Sequence, residues 1–262
     1  MFQSFLSLIL LILFLCSPGL VSAQANRITF LSYNIHHGEG MDQKLDLNRI
    51  AEVIRSVSPH VVTLQEVDRN TQRVNGSDQI RELAELLDME FRYAKAIDYD
   101  GGEYGHGILS HLPIARFEHH LLPLEKGAEQ RALAEAELEF QNQRFLFFGT
   151  HLDHVSEHDR QLAATYINQT IQNRDLPAIL AGDLNAVPDS GTIKTLTQQF
   201  QFSDTKLQPT FSSTEPRRKI DYILYTPAER WKVIQTRVIS EPLASDHCPY
   251  MAILELLPPS SQ

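Results

Sequence analysis

A chain of 262 residues with 42% hydrophobic side chains can bury a sizeable core, as one large two-layer domain or two small ones. The balance of 33 acidic against 23 basic residues gives a net charge of -10. That charge repels nucleic acid at long range, which disfavours without excluding a nucleic-acid substrate, and divalent cations at the site could supply positive charge locally. With only Cys16 and Cys248, a disulfide framework is excluded once any leader is lost.

The first 26 residues carry no charged side chain. An apolar core at 5–15 is followed by the breakers Ser17-Pro18-Gly19 and by Val21-Ser22-Ala23, a small-residue cleavage pattern. This reads as a signal peptide over residues 1–23, leaving 24–262 as a single exported domain, secreted or periplasmic. The apolar core is short for a membrane span. Because the leader lacks Lys and Arg, an uncleaved membrane anchor is the alternative. Leu15 before Cys16 makes a poor lipoprotein box.

Along the mature chain, residues 27–33 alternate into a strand that ends at Asn34, and the Gly-rich loop His36-His37-Gly38-Glu39-Gly40 follows. Leu47, Ile50, Ala51, Val53 and Ile54 predict an amphipathic helix begun near Asp46 and closed by Pro59. Val61-Val62-Thr63-Leu64 predicts a buried strand ending in Gln65-Glu66. A helix with Ile80, Leu83, Ala84, Leu86 and Leu87 on one face comes next, capped by Ser77 or Asp78. Strands are expected at 91–97, 105–110, 114–122, 131–140 and 144–149, the last two joined by the turn Gln141-Asn142-Gln143. A third helix covers 158–173, a short buried strand 178–181, and a helical stretch 192–200. Three strands close the chain at 220–225, 233–239 and 250–256. No repeat, low-complexity run or linker divides it. Many strands, some hairpin-linked, with few helices predict a β-sandwich flanked by helices.

The strand ends carry the chemistry. Asn34, Glu66, Thr150-His151-Leu152-Asp153-His154, Asp183 with Asn185, Asp221, and Ser245-Asp246-His247 each adjoin an apolar run. Asp183 and Asn185, two apart, would share a face of extended backbone. Carboxylate and amide oxygens suit Mg2+ or Mn2+, and histidine supplies a base near neutral pH.

The ordered set Asn34, Gln65-Glu66, Tyr104-Gly105, Thr150-His151, Gly182-Asp183-x-Asn185, Ile220-Asp221-Tyr222 and Ser245-Asp246-His247-x-Pro249 resembles the endonuclease/exonuclease/phosphatase family, with the deoxyribonuclease I fold. Gln65-Glu66-Val67-Asp68 and Tyr104-Gly105-x-x-Ile108-Leu109-Ser110 are similar to its small exported members. The resemblance implies an α/β (α+β) four-layer sandwich: two packed, mostly antiparallel β-sheets flanked by helices. It also implies metal-dependent hydrolysis of phosphoesters, diesters in preference to monoesters. On the same basis Glu66 would bind Mg2+ (or Mn2+), with Asn34 and Asp246 near it. His247 would be the general base oriented by Asp221, Asp183 would orient or activate the water, and Asn185 would hold a phosphoryl oxygen. His151 would stabilise charge on the phosphate or protonate the leaving oxygen, and Tyr104, His106 and Arg131 would contact phosphate. Asp68, Asp153 and His154 belong to the same pattern without an assigned role.

Two other readings compete. One is a zinc hydrolase built on His151, Asp153, His154 and His158, although His-x-Asp-His on one strand end points alternate side chains apart. The other is a non-catalytic phosphate-binding module of the same fold. The resemblance implies a phosphoester substrate, a phospholipid head group or nucleic acid, and a monomer with no obligate protein partner is expected. Val187-Pro188-Asp189 after the Asp-x-Asn motif departs from abasic-site nucleases. Arg217-Arg218-Lys219 before Asp221 departs from inositol polyphosphate phosphatases, and this basic run can face an anionic substrate.

Overall fold

A computed structural model describes residues 26–259; the expected leader and its cleavage point lie outside them. Strand β1 (Arg27–Asn34) crosses through helix α1 (Leu47–Arg55) into β2 (Val61–Arg69), which lies parallel to it. Helix α2 (Gln79–Leu87), then β3 (Glu90–Tyr99) and β4 (Gly102–Ser110), extend this sheet on the β2 side. The second sheet starts with β5 (Ile114–Leu121), β6 (Ala132–Phe140) and β7 (Gln143–His151). Helix α3 (Glu157–Gln172) then leads into β8 (Ala178–Asp183), parallel to β7. Helix α4 (Gly191–Leu196), the two-residue β9 (Gln201–Phe202) and β10 (Asp221–Thr226) complete that side. Strands β11 (Trp231–Val238) and β12 (Tyr250–Leu256) return to the first sheet. The orders are β11-β12-β1-β2-β4-β3 and β5-β6-β7-β8-β10-β9. Each sheet has one parallel pair and is otherwise antiparallel.

Three apolar layers hold four structural layers together. Ile28, Phe30, Val61, Phe145, Phe147, Ile179 and Ile223 meet between the sheets. Leu31, Tyr33, Val62 and Leu64 face Ile50, Ile54, Ile80 and Leu83 of α1 and α2. Phe148, Leu180 and Leu224 face Ala163, Ile167, Ile193 and Leu196 of α3 and α4. Alternation along each strand therefore feeds two cores at once, which is why the central strands read as unbroken apolar runs. Gly149 is needed where β7 packs on Thr63 of β2, since a Cβ there would stand 2.6 Å from Thr63 Oγ1.

The four-layer sandwich agrees with the sequence expectation, and most elements lie within a residue or two of their predicted ends. Helix α1 is capped as read: Asp46 accepts from the Arg49 amide at 3.0 Å. Asp78 occupies the N-cap of α2 but turns its carboxylate to Arg69 at 3.2 Å. Two stretches differ. The helix expected over 192–200 stops at Leu196, and β9 follows. Strand β2 runs past Glu66 through a bulge between Leu64 and Val67.

Candidate active site

Both parallel pairs end at one rim of the sandwich. Period-2 alternation fixes which residues look inward there. In β1, Ile28 and Phe30 are inner-layer residues, so Asn34 is inward too. In β7, Phe145 and Phe147 are inward, and so is His151. In β8 and β10, Ile179, Ala181 and Ile223 put Asp183 and Asp221 on the same inner face. Register then aligns His151 with Asp183, and Asp183 with Asp221, as direct neighbours across three strands. Gly182 makes this row possible: its φ is 152°, and a Cβ there would stand 2.0 Å from the Thr150 carbonyl oxygen.

His247, on the loop before β12, reaches across from the other sheet. Its Nδ1 lies 3.2 and 3.1 Å from the two Asp221 oxygens, and its Nε2 lies 3.6 Å from Asp183 Oδ2. The loop is pinned by Ser245, whose hydroxyl donates to the Asn34 carbonyl at 2.7 Å and accepts from the His247 amide. Asp183, Asp221 and His247 are all buried. Burial opposes the imidazolium, yet Asp221 and Asp183 outweigh it and lift the His247 pKa to about 10. Burial, reinforced by Asp221, pushes Asp183 up to about 7. The two carboxylates thus favour the protonated imidazole, which opposes the proton-acceptor role expected from the sequence. Asp183 is the member of the row that titrates near neutrality.

Asn34 donates its amide to Glu66 Oε1 at 2.9 Å and to Asp183 Oδ2 at 3.1 Å. Its Oδ1, the atom able to ligate a cation, accepts the His36 amide at 3.1 Å. Asn34 thus orients Glu66 through its amide nitrogen, and its Oδ1 keeps one lone pair beside the His36 amide. Glu66 itself has φ 57° at the β2 bulge. Simple alternation would turn it outward toward α1; the bulge turns it into the cleft. Asp246 lines the same cleft as Glu66, whose volume is about 440 Å³.

Opposite these carboxylates lies a group of donors. Arg131, buried just ahead of β6, points Nη1 at His151 Nδ1 (3.3 Å) and Nη2 at His154 Nδ1 (3.2 Å). A guanidinium can only donate, so Nδ1 of His151 accepts and its proton sits on Nε2. Burial and the Arg131 charge push the His151 pKa well down, which keeps the ring neutral. Asn185 donates to the Leu152 carbonyl and places the same amide nitrogen 3.1 Å from His151 Nε2. Both groups line the cleft beside Asp183. Asn185 arrives there through a left-handed turn (φ 47°) in which its amide N–H donates to Asp183 Oδ1 at 2.9 Å. The extended backbone expected at this motif is absent, and an Asx turn does the converging.

Tyr104 also lines the cleft. His106 does not: one step deeper along β4, it is 1% exposed between the sheets, and burial lowers its pKa to about 3. It is too deep and too neutral to meet a phosphate. The zinc grouping is not assembled either. Asp153 accepts the Val155 and Ser156 amides at the start of α3, and His158 is exposed against Glu125. Among the described residues, the groups able to share an ion do not include it.

Some functional neighbours were unassigned or unread in the sequence. His154 shares Arg131 with His151, and Asp68 is a fully buried partner of Arg73, at 2.6 and 2.7 Å. The basic run divides three ways. Arg218 lines the cleft, Arg217 is exposed against Glu215, and Lys219 is buried between Tyr222 and Tyr250. Cys248 is buried and free, with its thiol pushed up by burial, as a packing residue requires.

A model of the Endonuclease/Exonuclease/phosphatase family matches residues 31–247. The chain is 26% identical over 168 residues to the uncharacterized protein YbhP of Escherichia coli K12, covering 59% of this chain. It spans 65% of that curated relative, just under two thirds. Among solved structures, an endonuclease/exonuclease/phosphatase from Beutenbergia cavernae has a TM-score of 0.76 at 24% identity, covering 88% of this chain and 72% of that one. The mannosyl-6-phosphatase of Bacteroides thetaiotaomicron gives 0.73 at 19% identity, covering 87% and 99%. The human Nocturnin catalytic domain with bound sulfate gives 0.70 at 17%, covering 88% and 94%. At these identities the structural likeness speaks for the fold alone.

Proposed function

Because this chain belongs to the Endonuclease/Exonuclease/phosphatase family, we propose that it is a divalent-metal-dependent phosphoester hydrolase, acting on diesters in preference to monoesters. The observation that carries this reading is the Asp221–His247–Asp183 relay, closed across two sheets, facing the His151, Asn185 and Arg131 donors within one cleft. The cleft is lined by four carboxylates, Glu66, Glu129, Asp183 and Asp246, against two guanidiniums, Arg131 and Arg218. Hard oxygen donors such as Glu66 and Asp246 suit Mg2+ or Mn2+. Glu66 and Asp246 would hold it, and its contribution is to neutralise charge on the phosphoryl oxygens.

In this mechanism water attacks phosphorus in line with the leaving oxygen, without a covalent intermediate. Asp183 orients the water and takes its proton. His247, fixed through Nδ1 by Asp221, presents its Nε2–H to the developing charge, and His151 Nε2–H with the Asn185 amide donates from the other side. The substrate classes are a phospholipid head group or nucleic acid. A sugar phosphate, the kind of ester named for the Bacteroides relative, is the monoester to compare. On the character of residues 1–23 we place the enzyme outside the cytoplasm.

The test is a metal-matched panel of bis-p-nitrophenyl phosphate, p-nitrophenyl phosphate, plasmid DNA, RNA, sphingomyelin, phosphoinositides and mannose 6-phosphate. Diester hydrolysis that requires Mg2+ or Mn2+ is expected. Near-wild-type turnover by Asp183→Asn or His247→Ala would overturn the reading.

A further inference from the structure

The turn after β1 carries features that the hydrolytic machinery does not use. His36 and His37 both adopt left-handed backbone, φ 46° and 43°, and so does Glu66 at 57°. Non-glycine residues held there store about 1–3 kcal/mol each and persist only where the surroundings impose it. The two imidazole rings lie 4.6 Å apart. One ligand atom from His36, one from His37 and one carboxylate oxygen of Glu66 all lie within 4.8 Å of one another.

The remaining contacts of these side chains prepare them as ligands. His36 Nδ1 lies 3.1 Å from the Glu39 carbonyl oxygen. A carbonyl only accepts, so Nδ1 carries the proton and Nε2 keeps its lone pair. A backbone carbonyl on the second ring nitrogen is the usual device that orients a metal-bound imidazole. His37 Nδ1 is buried without a hydrogen-bond partner, in a side chain 12% exposed. Such an orphan costs about 1–3 kcal/mol. Glu66 gives one oxygen, Oε1, to Asn34 and has a second to share. The cation nearby, Arg73, is paired with Asp68 through two bonds, although its charge still acts on His37 against the imidazolium.

We propose that His36, His37 and Glu66 form a binding site for a borderline first-row divalent cation, Mn2+, Co2+ or Zn2+, distinct in donor type from the all-oxygen Mg2+ site expected from the sequence. Two imidazoles and a carboxylate suit these ions, whereas Mg2+ prefers oxygen and sheds its waters reluctantly. The site shares Glu66 with the proposed hydrolase but can be measured with no phosphoester present.

The experiment uses the purified full chain, stripped with chelator and then loaded. Mn2+ is read by electron spin echo modulation for imidazole nitrogen, and Co2+ by optical titration against excess Mg2+. Nitrogen coupling and about one equivalent of Co2+ retained over Mg2+ are expected. In the double variant H36N/H37N the coupling disappears and Co2+ affinity falls about tenfold or more. Asparagine is chosen because it tolerates left-handed backbone. Mn2+ coupled to oxygen ligands only, Co2+ displaced by comparable Mg2+, or a folded double variant that binds like wild type would overturn the proposal. If the double variant misfolds by circular dichroism, the wild-type nitrogen signal decides alone. Nitrogen coupling in a chain that hydrolyses nothing would keep this site and remove the hydrolase; hydrolysis without coupling would do the reverse.

Discussion

Replacing Lys219 by methionine should make the protein more stable at neutral pH. Lys219 is 4% exposed, its Nζ has no hydrogen-bond acceptor, and it sits 3.4 Å from the Tyr250 ring centroid and 5.4 Å from that of Tyr222. Burial pulls its pKa from 10.5 to about 8, against the opposing pull of Asp221 and Asp204. At about 1.4 kcal/mol per pH unit, holding the ammonium there costs about 3 kcal/mol at pH 7. The aromatic faces return about 2 kcal/mol of that, and methionine keeps the length while removing the charge. The expected gain for Lys219→Met is therefore about 1–3 kcal/mol, or roughly 2–4 °C in melting temperature per kcal/mol. The sign with pH follows from the depressed pKa. Below pH 8 both states of the wild type hold the proton and the full cost applies. Between 8 and 10.5 the folded state has released it while the unfolded chain has not, so wild-type stability climbs toward that of the variant. Urea unfolding of both proteins at pH 7 and pH 10 measures the gap. A variant less stable than wild type at pH 7, or a gap unchanged at pH 10, would refute the reasoning.

Asp183→Asn and His247→Ala should each lower diester turnover by ~10²–10⁴-fold, with the melting temperature near wild type for Asp183→Asn but lowered for His247→Ala, which strands the buried Asp221; kinetics paired with calorimetry checks both halves. Chelator should abolish turnover and added Mn2+ or Mg2+ restore it, whereas activity that survives exhaustive chelation contradicts a metal requirement. Arg73→Met strands the Asp68 carboxylate, which is 0% exposed, and should cost about 2–3 kcal/mol, discounted from a fully buried pair because Arg73 is partly open to water; a denaturation midpoint within error of wild type would count against it. Gly182→Ala drives a Cβ to 2.0 Å from the Thr150 carbonyl and should destabilise by about 3 kcal/mol or more, visible as loss of soluble protein or a large fall in urea midpoint.

Where side chains follow strand periodicity, the sequence was informative. Asn34, His151, Asp183 and Asp221 each continue an inward apolar alternation, so reading polar residues at the ends of buried runs found them. What it missed lies where periodicity breaks or depth matters. Glu66 depends on a bulge, and no local propensity marks a glutamate for φ 57°. Asn185 converges through a left-handed turn, not an extended strand. His106 shares the inward face with Tyr104, but two residues separate a rim position from a buried one. The protonation order of His247 and Asp183 depends on Asp221, which joins them only after β10 pairs with β8. Strand β9 has two residues, too short to show any period.

The relay draws one anion, Asp221, and the titrating Asp183 from one sheet, and its imidazole from a loop of the other. Neither half of the sandwich owns a working centre. A folding intermediate with either sheet formed, but the Phe30–Phe147 stack (centroids 5.7 Å apart) not yet closed, would bind and hydrolyse nothing. Docking of the two sheets is then a precondition for the centre, and a slight slippage between the two faces should take it apart well before spectroscopy records any loss of secondary structure.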